Sequence, residues 1–342
     1  MMAEVYFCWG GQVHGSIEEV RRELAFSSAV NAAEEFVQDP LDDGARGLHV
    51  LGGERLAFAC PDPGDMWALH FGAVRVGGSG STSARPSIGL GRDANTDQGV
   101  NLAIVSRGLR VRIGTDTVRE ATEDELAAPH HWCLAVVEHP TAGEWALYRD
   151  GEEIAGQTDV DTSRPERPNS LNLMGAHSAF RDMHYSHIIL ADEYLGQFSR
   201  VAYAPVSADQ SPTEWDRSEP LDDHFEHLDA VPHAGDTKYL RSTDFGTETA
   251  HRAAVSLPGR QIIAAQPVVM ARLEEQGLDE ITLEVASGAE STGEVTTGPV
   301  NVDGYTLLRG PILSDDPDTS EPWTAADLSD ATIRLRHRPP GS

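Results

Sequence analysis

The sequence predicts an all-β protein of two domains with one N-terminal helix. Short apolar runs follow one another, separated by Gly, Pro, Asp and Asn. The 32 glycines and 20 prolines supply the many turns that such an arrangement needs. A chain of 342 residues is long enough for two domains that each bury a core. Regular spacing of strands and turns favours a sandwich or barrel over alternating strands and helices.

The single helix is predicted near the N-terminus, at about residues 16–38. Ser16 and Glu19 have the spacing of a capping box, in which each side chain binds a backbone N–H of the other residue. Apolar residues then recur at roughly helical spacing as far as Asp39 and Pro40, which would end a helix. We expect this helix to pack on its own domain.

Strands are predicted through the first domain, at residues 48–51, 55–59, 67–76, 100–105, 109–113, 132–138, 145–149, 152–155, 170–174 and 187–191. Trp132 leads a run with two apolar faces, which is typical of a strand that is covered on both sides. Asp150 and Gly151 are a hairpin signal of type I′, so the next two strands fold back as a meander. Arg149 completes an Arg-Asp-Gly triplet that resembles adhesion motifs, but turn chemistry accounts for it.

Composition places a domain boundary after residue 203. Residues 204–220 are rich in Pro, Ser and acidic residues without an apolar period, which predicts an interdomain linker. Residues 221–342 then form a smaller, mostly β domain. Its strands are predicted at residues 261–272, 281–286, 305–308 and 332–337.

The net charge of -29 excludes several classes of partner. Asp and Glu number 55 against 26 Lys and Arg, so nucleic acid and anionic membrane surfaces would repel the chain. Lys238 is the single lysine among the basic residues. An acidic, lysine-poor composition resembles that of proteins from salt-loving archaea, where molar salt shortens the Debye length to about 3 Å. A GC-rich genome, which favours arginine codons, is the alternative explanation.

The three cysteines predict free thiols. Cys8, Cys60 and Cys133 are widely spaced and form no CxxC pair, so we expect neither a disulfide framework nor a zinc knot. The N-terminus lacks the basic start and apolar core of a signal peptide. No apolar run approaches the ~20 residues of a membrane span, so no membrane insertion is expected. We therefore expect assembly in the cytoplasm, with export only as part of a particle.

Residues 130–156, HHWCLAVVEHPTAGEWALYRDGEEIAG, resemble the central signature of concanavalin A-like, laminin-G-type domains. In that family a His-Trp start leads one strand, and a later strand ends in Tyr-x-Asp-Gly. Residues 169–175 and 183–190 are similar to the family's continuation, and the resemblance covers about residues 45–200. It implies a concanavalin A-like β-sandwich (jelly roll), here followed by a second, smaller β-sandwich domain. Members bind glycans or proteins, often through a Ca²⁺ at the rim of the sandwich.

The C-terminal half has a separate resemblance. Residues 223–242 and 315–326 are similar to a small β domain that recurs in virion proteins of tailed viruses. The second stretch also makes sense without a viral role, because Asp316 and Asp318 flank a proline in a turn and Trp323 would anchor the final strand. Together with the lectin-like domain and the acidic composition, this resemblance implies a structural protein of a tailed virus that infects haloarchaea.

One loop has the composition of a calcium site. Asp93, Asn95 and Asp97 place oxygen ligands at i, i+2 and i+4, the spacing that opens a calcium loop. The loop is not an EF-hand, because Gly99 comes one place late and Ile104 stands at the twelfth position. A rim Ca²⁺ site is one reading of this motif. Polar turn chemistry explains it equally well.

Aromatic rings are the usual platform for sugars, because pyranose faces stack on them. Trp67, Trp132 and Trp145 lie within strand patterns, so we expect them in the core. Tyr185 and Tyr194 are better placed for exposure, and they are the predicted glycan-binding residues.

Two histidine pairs, His184 with His187 and His224 with His227, have the i, i+3 spacing of some zinc sites. Because fourteen histidines make chance pairs common, we expect hydrogen-bonded surface histidines instead of ligands. No compact carboxylate cluster, Walker loop, GxGxxG, nucleophile elbow or Ser-His-Asp order is present, so no catalytic residues are predicted.

The sequence therefore predicts a non-enzymatic virion protein. It would be a surface-exposed head decoration, turret or tail-associated subunit, present as a homo-oligomer among other virion proteins. Its lectin-like domain would bind host surface glycan or a neighbouring subunit. The alternative is a glycan-processing hydrolase with the same concanavalin A-like fold.

Overall fold

The structure is a computed structural model that describes residues 3–10, 12, 14, 16–24, 33–39, 41–51, 55–76, 88–92, 99–105, 108–121, 124–174, 182–196, 199–219, 223–228, 233, 235–274, 279–300 and 303–340. It divides into two compact units. One comprises Ala3–Gly11 and Ser16–Val201, and the other is built mainly from Ala202–Ser342. Within these ranges no helix is both long enough and apolar enough to cross a membrane.

The first unit is almost entirely antiparallel β-structure. Its elements are β1 (Val5–Trp9), α1 (Ile17–Glu23), β2 (Ala33–Asp39), β3 (Asp42–Val50), β4 (Arg55–Ala59), β5 (Met66–Val76), β6 (Ile88–Gly91), β7 (Val100–Val105), β8 (Gly108–Ile113), β9 (Asp116–Arg119), β10 (His130–Val137), β11 (Gly143–Arg149), β12 (Glu152–Val160), β13 (Ser170–Met174) and β14 (Asp182–Ala191). One sheet has the order β12-β11-β10-β5-β14-β3-β2, with β1 also paired to β14. The other has the order β4-β13-β6-β7-β8-β9.

A single hydrophobic core joins the two sheets into a sandwich. Alternate residues of the first sheet, such as Trp67 and Trp132, share one buried cluster with Phe58 and Leu102 of the second. Each large apolar side chain that is fully buried stabilises the fold by about 1.5–3 kcal/mol. The predicted all-β sandwich is therefore confirmed, and each strand predicted for this domain overlaps an observed one.

The meander predicted from the first motif is also observed. Strand β10 pairs with β5 on one side and with β11 on the other, and β11 pairs with β12. Asp150 and Gly151 have φ angles of 51° and 87°, as a type I′ turn requires. The Asp150 Oδ1 atom also accepts a hydrogen bond from the His131 N–H at 2.9 Å. The Arg-Asp-Gly triplet is thus part of the turn.

The predicted helix is correct at its start and wrong in its length. The capping box of Ser16 and Glu19 is present, but α1 ends at Glu23 instead of continuing to residue 38. Residues 33–39 form β2, which pairs with β3 through Phe36 and Leu48. Pairing with a sheet supplies this segment's backbone with hydrogen-bond partners, and such tertiary pairing overrides a roughly helical apolar spacing.

The second unit is smaller and also mainly β. Its elements are β15 (Val206–Thr213), β16 (Asp216–Arg217), β17 (Leu240–Arg241), β18 (Glu248–Ala253), β19 (Val268–Ala271), β20 (Glu280–Ser287), β21 (Glu290–Ser291), β22 (Val295–Pro299), β23 (Thr306–Arg309), α2 (Ala325–Asp330) and β24 (Thr332–Arg338), with 3-10 turns at Phe225–His227 and Gly235–Thr237. The main sheet has the order β15-β18-β24-β20-β21, and β22 also pairs with β20. The ladder of β19 and β23 packs on it, because Leu308 shares a core with Leu283 and Leu335. Trp323 is buried in a small core with Val285 and with Ala331, the residue before β24.

The predicted linker at 204–220 is wrong. Most of this segment is β15, an edge strand that pairs with β18. Trp215 follows it and is buried in the core of the second unit. An edge strand tolerates Pro212 and many polar residues, because one of its sides lacks a ladder partner and one face meets solvent. The low apolar content of residues 204–220 is therefore explained by an edge strand instead of a linker.

Candidate functional site

The predicted calcium residues Asp93, Asn95 and Asp97 lie outside the residues that the structure describes. Across the described ranges, no group of three or more His, Cys, Asp or Glu side chains is arranged to hold a metal ion. Calcium binding by this loop therefore stays a prediction. A calcium titration of chelator-washed protein in high salt, read as a change in melting temperature, checks it.

Tyr185 is wrongly predicted as a glycan contact. It lies on the inner face of β14 together with Met183, and its side chain is fully buried in the sandwich core. The ring packs edge-on against Phe71, with centroids 6.2 Å apart. Burial raises the pKa of the phenol well above its ordinary value. Strand alternation places every second residue inside, and a polar hydroxyl did not prevent Tyr185 from taking an inner position.

The two members of each histidine pair have different surroundings. His187 is buried beside Asp39, whereas His184 is half-buried and its ring lies 5.1 Å from that of His49. Of the second pair, His227 is buried, and His224 Nε2 lies 2.9 Å from a backbone oxygen. The expected hydrogen bonds are present for His187, His224 and His227. Their expected place at the surface is wrong for the two buried members.

Tyr194 lies at the surface of the sandwich in an aromatic stack. Its ring is 4.2 Å from that of Tyr148, at an interplanar angle of 13°, and 5.6 Å from that of His70, at 16°. The Tyr194 hydroxyl donates to the Gly151 carbonyl at 3.4 Å. Both tyrosines are half-buried, and burial raises the pKa of each phenol. The stack therefore joins the segment after β14 to the β11–β12 hairpin.

Beside the stack, the outer face of the eight-stranded sheet is rich in histidine. Register pairs Cys133 of β10 with His70 of β5, and pairs His131 with Gly72. We call the residues His70, His131, Cys133 and His187 the histidine face. All four are buried, because the segment that follows β14 lies against them. The sheet thus has a polar layer on the side opposite its core.

Two histidines hold the backbone of that segment through acceptor nitrogens. His70 Nε2 accepts from the Leu195 N–H at 3.2 Å, and His187 Nδ1 accepts from the Val201 N–H at 3.2 Å. The second ring nitrogen of His187, Nε2, lies 2.8 Å from Asp39 Oδ2. Each contact requires a lone pair on the accepting nitrogen, so each ring must be neutral for its hydrogen bond to form.

Burial keeps His70 and His131 uncharged at neutral pH. Desolvation, helped by the neighbouring His131, lowers the pKa of His70 to about 3. Desolvation also lowers the pKa of His131 to about 4, although Asp150 acts in the opposite direction. Burial tends to raise the pKa of Asp39, but the hydrogen bond and charge of His187 outweigh it and the pKa is lowered. His70 and His131 are therefore buried as neutral rings.

A row of small residues crosses the same outer face next to the stack. Register aligns Gly156 with Ala146, Ala146 with Ala135, Ala135 with Ala68, and Ala68 with Ala191. We call these five residues the alanine row. Its first three members are open or half-open to solvent, and the last two are buried. Strands lie about 4.8 Å apart, so the open part spans about 10 Å from Gly156 to Ala135.

An aromatic side chain lies next to the open part of the row. Tyr148 stands two residues beyond Ala146 on the same face of β11, and Glu153 of β12 is its register partner. Glu144 stands two residues away on the other side and is exposed. A flat apolar ring, carboxylates and a floor without bulky side chains are the elements that a sugar site needs. Of the two predicted glycan residues, Tyr194 is stacked on Tyr148, which stands beside the row.

The alternation of residues along each strand indicates which side chains lie on this outer face. In β5 and β10 the core residues alternate with His70, Ala68, Cys133 and Ala135. Period-2 alternation therefore identifies the outer face once the inner one is known. Which outer positions become neighbours depends on strand order, and no single strand contains that information.

No protein-family model matches the sequence, and a search of curated proteins finds no match either. Solved structures with a similar fold include an endo-β-1,4-glucuronan lyase from the fungus Trichoderma reesei, at 12% identity and a TM-score of 0.40, over 56% of this chain and 97% of that one. The catalytic domain of a glycoside hydrolase family 131 protein from Coprinopsis cinerea matches at 11% identity and a TM-score of 0.41, over 58% and 98% of the two chains.

The binding domain of Paraclostridial Mosquitocidal Protein 1 is also similar in fold, at 8% identity and a TM-score of 0.37. That match covers 52% of this chain and 48% of the other. Likenesses this distant identify neither a ligand nor a reaction for this chain.

Proposed function

We propose that the protein binds glycan through its first unit without cleaving it, and that the glycan lies along the open part of the alanine row. The observation that carries this proposal is the aromatic stack of Tyr148 and Tyr194 beside that row. A pyranose ring lying over Ala146 and Ala135 would meet no bulky side chain from the floor. Its apolar face or edge would contact Tyr148, as sugars contact aromatic rings elsewhere.

Charge narrows the class of glycan to neutral sugars. Glu144 and Glu153 are exposed on either side of Ala146, and the chain carries a net charge of -29. Carboxylates accept hydrogen bonds from sugar hydroxyls, whereas they repel uronic acids and sulfated sugars. We therefore expect neutral hexoses to bind and polyanionic glycans to be excluded.

The same proposal places the protein on the surface of a tailed-virus particle, as a head decoration, turret or tail-associated subunit. The support for this part is the resemblance of residues 223–242 and 315–326 to virion domains, together with the acidic, lysine-poor composition. Single sugar contacts of this kind are weak. Display in many copies would raise avidity by about 10²–10⁴, which suits a particle surface.

The glycan site is tested by binding of the full chain to a panel of neutral oligosaccharides in molar salt. Tyr148→Ala should abolish binding, and Ala146→Arg should do the same by filling the row. Tyr148→Phe is the matched control, because it keeps the ring and should keep most of the affinity. If no neutral oligosaccharide binds, or if both disruptive variants bind like the parent chain, the proposed site is wrong.

The particle location and the absence of glycan cleavage are tested separately. Mass spectrometry of purified particles should find the chain in many copies, and antibodies against the first unit should label intact particles. Finding it only in the unassembled fraction would contradict the virion role. Release of reducing ends from a bound polysaccharide would support the alternative, a glycan-processing hydrolase, over simple binding.

A further inference from the structure

Three side chains of the second unit, far apart in sequence, form a continuous hydrogen-bonded chain. Ser242 follows β17, Asp279 precedes β20, and His337 lies on β24. The Ser242 Oγ atom is 2.9 Å from His337 Nδ1, and His337 Nε2 is 3.0 Å from Asp279 Oδ2. A hydroxyl, an imidazole and a carboxylate in this order are the parts of a nucleophile, its base and the group that orients the base.

The backbone holds the imidazole in place from both sides. His337 pairs with Ile281 in the β20–β24 ladder, two residues after Asp279. On the other side, the His337 N–H donates to the Thr247 carbonyl at 3.1 Å, and the Gly246 N–H donates to the His337 carbonyl at 2.8 Å. The loop that contains Ser242 is therefore tied to the strand that contains His337, so their separation is fixed by backbone bonds.

The hydrogen-bond pattern selects one tautomer of His337. An ionised Asp279 carboxylate only accepts hydrogen bonds, so Nε2 of the neutral ring carries the proton. The lone pair on Nδ1 then faces the Ser242 hydroxyl. Thr247 Oγ1 lies 2.7 Å from Ser242 Oγ and donates to the Asp244 carbonyl at 2.8 Å. The base is thus unprotonated at the atom that faces the hydroxyl.

The arrangement is shielded but can be reached from solvent. The Phe245 ring packs 4.8 Å from the His337 ring and is itself 56% exposed. His337 is nearly buried, whereas Ser242 is half-buried beside an exposed turn. A hydrolytic base requires protection from bulk water, and a substrate requires access to the nucleophile. An ester presented from outside would meet Ser242 first, next to an apolar ring.

We propose that Ser242, His337 and Asp279 form a hydrolytic site for esters of small acyl groups such as acetate. Ser242 Oγ adds to the ester carbonyl while its proton passes to His337 Nδ1, and the alcohol leaves with that proton. Water then adds to the acyl-serine, again giving a proton to Nδ1. The acid leaves as that proton returns to Ser242 Oγ.

The roles of the three residues differ in what they touch. Ser242 would form the covalent bond and His337 would transfer the proton, so both are catalytic residues. Asp279 acts through His337 and is a positioning residue. This site belongs to the second unit and does not involve the alanine row, so it stands or falls independently of the proposed glycan site.

The test uses the full chain with 4-nitrophenyl acetate as substrate and a fluorophosphonate as a covalent probe. The parent chain should hydrolyse the ester above the spontaneous rate, and peptide mass spectrometry should place the probe on Ser242. Ser242→Ala should lose both the label and the catalysed rate. Asp279→Asn should lower kcat by about 10²-fold or more, with a smaller change in KM, because the amide no longer selects the active tautomer.

Ser218→Ala is the matched control, since the Ser218 hydroxyl also lies near a histidine, 3.2 Å from His227 Nδ1. It should keep the parent rate and the label on Ser242. Unfolding curves of each variant separate lost catalysis from lost structure. No label on Ser242 in the parent chain, or a parent-like rate in Ser242→Ala, would overturn the proposal. Parent-like hydrolysis by Tyr148→Ala would support the independence of the two sites.

Discussion

Asp39 and His187 form a buried pair in which Oδ2 of the carboxylate lies 2.8 Å from Nε2 of the ring. His187 occupies a position with φ of 46°, where β14 changes register against β5. A non-glycine residue in that region costs free energy, so its neighbours must hold it there. Asp39 on one ring nitrogen and the Val201 N–H on the other supply that constraint.

Removing the carboxylate of this pair should destabilise the protein. Asp39→Ala leaves His187 without its partner and the Leu41 N–H without its acceptor, so we expect a loss of about 3 kcal/mol in the free energy of unfolding. Chemical denaturation measures it. Asp39→Asn should cost less, because an amide oxygen can still accept from Leu41. Asp116→Ala on exposed β9 is the control and should change the free energy by less than about 0.5 kcal/mol.

Acid should destabilise the first unit through its buried histidines. The pKa values of His70 and His131 are lowered to about 3 and about 4 in the folded protein, against 6.5 for an unperturbed ring. Between pH 6.5 and 4 the unfolded chain therefore binds more protons than the folded chain, and stability falls as the pH falls. Near pH 5 each histidine should contribute a slope of about 1.4 kcal/mol per pH unit.

Unfolding measured at a series of pH values from 7 to 4.5 checks this dependence. Replacing His70 by Asn removes one titrating ring, so the slope should become shallower even if the variant is less stable overall. Thr115→Ala alters an exposed residue that does not titrate and should leave the slope unchanged. An identical slope in the parent chain and in His70→Asn would contradict the assignment.

A methyl group at Gly72 should not fit. A Cβ built there would lie 2.3 Å from Ser186 Oγ and 2.7 Å from Leu41 Cδ1, both closer than real contacts allow. Gly72→Ala should therefore lower the melting temperature, at a cost of about 1–3 kcal/mol for overpacking. Adding Ser186→Ala removes the nearer atom, so the double variant should recover part of the loss. No recovery would mean that Leu41 alone sets the limit.

The ion pair of Arg164 and Glu138 should behave as a unit. Both side chains are almost fully buried, the Trp67 Nε1–H donates to Glu138 Oε1 at 2.6 Å, and the guanidinium lies 5.3 Å from the Trp67 ring centroid. Arg164→Leu leaves a buried carboxylate uncompensated and should cost about 3–5 kcal/mol. Glu138→Gln combined with Arg164→Leu should be more stable than Arg164→Leu alone. A double-mutant cycle with additive losses would show that the two residues are not coupled.

Local signals in the sequence were sufficient for much of the fold. The turn at Asp150 and Gly151 and the capping box at Ser16 each depend on a few adjacent residues, and both were predicted correctly. The strand led by Trp132 is observed, but its outer face is only partly covered, because Ala135 is half-open to solvent. The wrong predictions concern segments whose secondary structure depends on pairing with a strand that is distant in sequence. Residues 33–39 look helical but pair with β3, and 206–213 look like a linker but pair with β18.

The candidate sites depended even more on contacts between distant residues. Tyr185 and Tyr194 are similar residues nine positions apart, yet strand alternation buries the first and chain reversal after β14 exposes part of the second. The relay of Ser242, Asp279 and His337 joins residues separated by 95 and 58 positions. No short sequence motif predicts that these three side chains are in contact, because strand order and register bring them together.

The reactivity of Cys133 can report whether the segment after β14 is attached to the sheet. Its thiol is fully buried in the histidine face, beside His70 and near both stacked tyrosines, and burial raises its pKa well above the ordinary value. Alkylating reagents react with thiolates, so they should modify this sulfur only when the segment after β14 detaches from the sheet. The rate of that labelling, resolved from Cys8 and Cys60 by peptide mass spectrometry, would time the opening of this layer, and a bound sugar that braces Tyr194 should slow it.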